Sequence, residues 1–267
     1  MGAGVVITGI GAWTAFGAGW MRTWNALCDG ASAIAAAGHE LPPAETMPVA
    51  MIRDLNPFRD VFPALKPPLP LKESRLLMVA VHEALADAAL RVDERRGDDV
   101  GVMLDCGWDA DTATMRFFAR MLEGGVKATS PLLFSQGVAN APLGALAQHL
   151  GLRGPHLLTV GGGAFCLAVS ALRSGEAQAI VSGGFDVLEG NRVAALHRRG
   201  LLGALGEGAV ALVLEREEAA RLRGARCYAR VRACSCQLDA AAEPSPEGVE
   251  LLVGNRSAEV IELFHQG

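Results

Sequence analysis

Gly154 to Asp186 reads GPHLLTVGGGAFCLAVSALRSGEAQAIVSGGFD, and the order of its residue types decides the fold. His156 to Val160 is a short apolar and β-branched run. Gly161, Gly162 and Gly163 follow, and then the small-residue apolar segment Ala164 to Leu172, long enough for a buried helix. Arg173-Ser174-Gly175-Glu176 ends that helix, and Ala177 to Val181 reads as a second buried strand running into Gly183-Gly184. Strand, tight turn, buried helix and strand make a βαβ unit. The turn into the helix is where free backbone N–H groups converge, so such folds place an anion or a nucleophile there.

The stretch resembles the core of the β-ketoacyl synthases, condensing enzymes of the thiolase-like fold. The resemblance rests on Gly154-Pro155, Thr159-Val160, Arg173, Gly175-Glu176 and Gly183-Gly184 at matching intervals. Counted from Pro155, the position of the family's catalytic cysteine falls on Gly163, and Leu167 matches a recurrent leucine four residues later. The resemblance therefore implies a chain without the family's nucleophile.

Working outward, Val5 to Gly11 (VVITGIG) reads as a buried first strand. Trp20 to Asp29 has helical apolar spacing, with Trp20, Trp24 and Leu27 on one side, and Gly30 to Ile34 closes it. Residues 35–70 are proline-rich and read as an irregular surface excursion. Leu71 to Leu90 is a long amphipathic helix, with His82 and Glu83 expected to face solvent; Val100 to Leu104 is a strand ending at Asp105-Cys106-Gly107. Asp109 to Glu123 and the segment around Leu143 to Leu150 read as helices, and His149 to Pro155 (HLGLRGP) is close to the family pattern. GEGAVALVLER (Gly206 to Arg216) matches the family's next strand, after a loop that is shorter than the family's. Cys227 to Cys236 alternates as a strand.

The resemblance covers Val5 to Val231, the family's N-terminal half. Neither histidine motif of the second half occurs. The implied fold is α/β and thiolase-like: a mixed, mostly parallel five-stranded sheet with a buried helix and helices on both faces, and the second half largely missing. Residues 1–236 form the ketosynthase-like domain, and 237–267 a short remnant of the other half.

Composition narrows the function. The 267 residues carry a net charge of −5, 5% aromatics and one tyrosine. No run of lysine and arginine points to nucleic acid. No stretch approaches ~18 uninterrupted apolar residues, so no membrane span is expected, and the start of the chain lacks the pattern of a secretory leader. Six scattered cysteines fit reduced thiols in a cytoplasmic protein. Cys227 and Cys234-x-Cys236 have the wrong spacing for a zinc knuckle, the six histidines form no ligand motif, and Gly9-x-Gly11 lacks the other marks of a dinucleotide site. No metal or cofactor is expected.

Glycine at 163 has no side chain to carry an acyl group, so the expected catalytic residue is none. The nearest thiol, Cys166, lies about one helical turn further on and reads chiefly as packing. The resemblance points to chain-length factors, which lack the cysteine and pair with an active ketosynthase. In the family the strand before the cysteine pairs across the dimer interface; here that strand is His156 to Val160. The resemblance accordingly implies an interface or acyl tunnel that includes His156, Leu158, Val160, Gly162 and Phe165, together with Leu132, Leu133, Phe134 and Asn140 of the segment Ser130 to Asn140. The implied partners are an active β-ketoacyl synthase and an acyl carrier protein, in fatty acid or polyketide (including polyene) chain elongation. Two other readings stay open: an independent acyltransferase or condensing enzyme using Cys166 or Ser170, and a non-catalytic scaffold that docks an acidic acyl carrier on Arg192, Arg198 and Arg199.

Overall fold

The structure is a computed structural model, and it describes residues 4–92, 97–107, 111–200, 205–236, 249–252 and 257–263. In chain order the regular elements begin with β1 (Val5–Thr14), β2 (Gly17–Ala18), α1 (Trp20–Cys28), β3 (Ala35–Ala36), β4 (Pro48–Ala50), α2 (Asn56–Val61) and α3 (Lys72–Asp87). They continue with β5 (Val100–Cys106), α4 (Asp111–Gly124), α5 (Pro131–Ser135), α6 (Ala141–Leu150), β6 (His156–Val160), α7 (Ala164–Ser174) and β7 (Ala179–Asp186). The last are α8 (Gly190–Arg198), β8 (Leu205–Gly206), β9 (Gly208–Arg216), α9 (Glu217–Leu222), β10 (Ala229–Cys236), β11 (Val249–Leu252) and β12 (Ser257–Leu263).

The α/β class expected from the sequence is what forms. The principal sheet runs β11-β12-β10-β1-β9-β7-β5-β6, with β2 added to β1. It is wider than the five strands expected and less parallel. Among the described residues of this sheet only β5–β6 and β5–β7 are parallel; β7–β9, β9–β1 and β1–β10 are antiparallel. The reason lies in the connections. Helical crossovers α7 and α4–α6 return the chain in the same direction, as parallel pairing requires, whereas β9 comes back on β7 the other way.

Side-chain alternation splits the core between the two faces. On β5, Val100, Val102, Leu104 and Cys106 face α3 and α6, and Met103 faces α7. On β7, Ala179 and Val181 face the first side and Ile180 the second; on β9, Ala209, Ala211 and Val213 oppose Leu214. Helix α7 is buried through Ala164, Phe165, Ala168, Val169, Ala171 and Leu172, and it ends on Gly175, whose φ of 83° takes the left-handed C-cap conformation.

Helix α3 lies directly on β1. A Cβ at Gly11 would overlap the Ala80 carbonyl, and one at Gly9 the Ala84 carbonyl, so these two glycines serve close packing. Beside them, Glu83 accepts hydrogen bonds from the N–H groups of Ala12 and Trp20, both at 2.9 Å, and Asp87 accepts from Ile10 N–H at 2.9 Å. Glu83, expected in solvent, is thus a half-buried tie between α3, β1 and α1; His82 is exposed as expected.

Residues 35–70 are more ordered than a surface excursion. β3, β4 and β8 form a small second sheet, and Ala37, Leu41, Ala44 and Val49 pack with Val193 and Ala194 of α8. Helix α1 buries no residue, and Trp24 and Leu27 stay exposed.

Candidate functional site

The three glycines between β6 and α7 all take positive φ: 84° at Gly161, 117° at Gly162 and 114° at Gly163. A side chain is strained in that region, so the run makes a turn that few other residues can make. Gly163 is the N-cap of α7. It is buried, and no side chain extends from this position toward a substrate.

The N–H groups at this helix end are already engaged. Asp105, on the neighbouring parallel strand β5, points its carboxylate at them. Ala164 N–H donates to its two oxygens at 3.2 and 3.4 Å, and Gly162 N–H and the Thr159 hydroxyl donate as well. An anion belongs at a helix N-terminus, and the chain supplies its own. Burial raises the Asp105 carboxyl above the ordinary carboxylate range, opposed by these hydrogen bonds, Thr159 foremost. One strand end away, Asp186 accepts from Gly107 N–H at 3.0 and 3.1 Å. Sequence reading passed over Asp105. Its one signal was an acid at the C-terminal end of a parallel strand, the end where open α/β sheets place their sites.

Cys166 is half-buried, and its thiol hydrogen-bonds to Cys234 of β10. That bond, with help from the Arg173 charge and against burial, pulls the Cys234 thiol down to about 7. Ser170 is exposed on α7. Among the described residues no group of three or more histidine, cysteine, aspartate or glutamate side chains is arranged to hold a metal ion.

The residues expected at an interface separate into two sets. β6 is an edge strand: it pairs with β5 on one side and with no strand among the described residues on the other. His156 and Val160 are exposed there, Val160 at 60%, and Leu158 is half-buried against the α3 side. Leu132 and Phe134 of α5 are exposed, and Phe134 meets Phe117 of α4 with ring centroids 5.4 Å apart. Phe117 and Phe134, with Leu133, Phe118 and Val138, line an apolar hollow of about 230 Å³. Asn140 is exposed at the N-cap of α6 without a side-chain capping bond. Phe165 lies apart from both sets. It is 4% exposed and packs among the residues between α7 and the sheet, because the first turn of α7 directs it inward. Arg192 and Arg198 lie on α8 and Arg199 at its C-cap; Arg198 and Arg199 are exposed.

Comparison with known proteins agrees with this geometry. Residues 3–220 match the family model described as "Beta-ketoacyl synthase, N-terminal domain". Nodulation protein E of Rhizobium sp. (strain N33) is 31% identical over 92% of this chain and 66% of its own length. The 3-oxoacyl-[acyl-carrier-protein] synthase 2 of Staphylococcus aureus (strain COL) is 26% identical over 91% of this chain and 66% of its own length. Among solved structures, the ishigamide ketosynthase/chain length factor superposes with a TM-score of 0.75 at 24% identity, covering 90% of this chain and 65% of that one. A type II polyketide acyl-carrier protein in complex with its ketosynthase gives 0.73 at 19%, covering 90% and 64%. The chain thus spans about two thirds of the length of the relatives it matches. No helix among the described residues is long and apolar enough to cross a membrane. With a family model covering most of its length and a glycine turn and buried helix in the family's order, the chain belongs to the β-ketoacyl synthase family.

Proposed function

We propose that this chain is a non-nucleophilic, chain-length-factor-like subunit that pairs with an active β-ketoacyl synthase in fatty acid or polyketide chain elongation. The observation that carries this reading is the α7 N-terminus. The residue at the helix cap is glycine, and the N–H groups of Gly162 and Ala164 are taken by the Asp105 carboxylate. A condensing enzyme needs a thiolate there to hold the acyl chain. A fixed carboxylate beside it opposes the negative charge that develops during acyl transfer.

Two further features support pairing. The unpaired edge of β6 offers backbone donors and acceptors to another strand. The exposed Leu132, Phe134, Val138 and Val160 are apolar surface of the kind that marks an interaction site. The acyl carrier protein is a partner of the assembled pair in this reading.

Co-expression with candidate ketosynthase subunits, followed by size-exclusion chromatography with light scattering, tests the proposal. The expected result is a stoichiometric heterodimer whose condensing activity requires this chain. A protein that stays monomeric beside every such subunit, or that condenses acyl groups alone, overturns it.

A further inference from the structure

A cavity of about 720 Å³ lies between the start of α3, the segment around residues 40–51, helix α4 and the segment leading into α8. It is separate from the α7 turn, and none of the roles above uses it. Its volume falls within the usual range for small-molecule sites, which are mostly apolar with a few polar groups fixing orientation.

The charged residues around it divide cleanly. Glu40 is paired with Arg53 at 3.0 Å. Lys72 is paired with the buried Glu207. Glu189 accepts the Arg192 N–H at 3.0 Å and caps α8. Three remain. Arg75 lines the cavity, its Nε is shut off from solvent, and that atom has no hydrogen-bond partner among the described residues. A buried guanidinium nitrogen without an acceptor is uncommon and calls for one. Arg116 stands exposed at the same cavity, and its positive charge acts on Glu73. Glu73 is 6% exposed and lines the cavity too. Burial raises its carboxyl above the ordinary range, opposed by a backbone hydrogen bond and by the charges of Arg116, Arg75 and Lys72. The remaining wall is largely apolar, with Met51, Leu69 and Met115 among its residues.

Two guanidinium groups, one with a buried Nε that lacks an acceptor among the described residues, beside an apolar wall fit an amphipathic anion. A guanidinium fork matches a carboxylate in plane and binds it through charge-assisted hydrogen bonds. We propose that this cavity binds a carboxylate carried on an aliphatic chain, its head group on Arg75 and Arg116 and its chain along Met51, Leu69 and Met115. A bare phosphate would meet the same cations and leave the apolar wall unused. The site needs neither a partner subunit nor condensing chemistry, so it stands or falls apart from the pairing reading.

Isothermal titration calorimetry on the full chain tests it, with octanoate, octan-1-ol and inorganic phosphate as probes. Octanoate is expected to bind one per chain, and the other two more weakly by roughly tenfold or more, the scale of a lost hydrogen bond to a charged group or of a lost apolar contact. Arg75→Gln is expected to weaken octanoate by a similar factor. Arg116→Gln, at an exposed position where folding is not at stake, is expected to weaken it as well. Octan-1-ol or phosphate binding as tightly as octanoate, or octanoate binding unchanged in Arg116→Gln, overturns the proposal.

Discussion

Asp105 holds a helix end and carries a cost for doing so. Its carboxyl is raised by burial, so the folded state keeps its proton to a higher pH than the unfolded chain does. The stability tied to that proton is full below the unfolded value, about 4 for aspartate, and is lost as pH rises through the folded value. Asp105→Asn keeps one oxygen for the Ala164 N–H and removes the buried charge. Its melting temperature is expected to fall less than that of the parent between pH ~4 and ~7, the interval above the unfolded value; an unchanged slope would show that the charge is well solvated. Cys234 gives a second test at this scale. With its thiol at about 7, iodoacetamide near neutrality is expected to modify it before the exposed Cys28. Cys166→Ala removes the hydrogen bond that contributes most to this lowering and is expected to slow that labelling severalfold; peptide mass spectrometry reads both. The glycine turn that opens α7 was legible in the sequence, because three glycines stand between an apolar strand and a small-residue helix. Asp105 was not, because its partners lie 54 to 59 residues away, and only the parallel β5–β6 pairing brings them together.

At the scale of elements, apolar runs and glycines announced most strands and helices. Burial alternates along β5, β7 and β9 with period two, and α7 buries a broad face. Strand direction was less accessible. A run such as Gly208–Arg216 has the same composition whichever way it enters the sheet, so the antiparallel β7–β9–β1 arrangement follows from the connections alone. Nor did apolar spacing tell burial from exposure on α1, whose Trp24 and Leu27 face outward. The close approach of α3 to β1 is open to test. Gly11→Ala drives a methyl group into the Ala80 carbonyl and is expected to cost about 1–3 kcal/mol or more. Gly144→Ala, in α6 with nothing within 4 Å of the added carbon, is expected to stabilise by about 0.4–1 kcal/mol. Urea titrations of the two variants give opposite signs if the packing is as described.

For the whole molecule the governing feature is a broad sheet whose β6 edge is unpaired among the described residues. Val160→Lys places a charge at the end of that edge, a device that discourages strand pairing. Because Val160 is 60% exposed, the isolated chain is expected to keep its melting temperature while the peak of the heterodimer proposed above diminishes in size-exclusion chromatography. Retention of the full peak would move the contact surface elsewhere. The turn before α7 has its own consequence for how such a chain changes over generations. A cysteine at 163 would inherit a backbone at φ 114°, strained for any side chain, and would sit beside a carboxylate that disfavours a second negative charge. A thiolate at this position would therefore call for coordinated change on β5 and in the turn. On the reading proposed above, the glycine turn works as a ratchet: the folded structure itself resists a thiolate at this position.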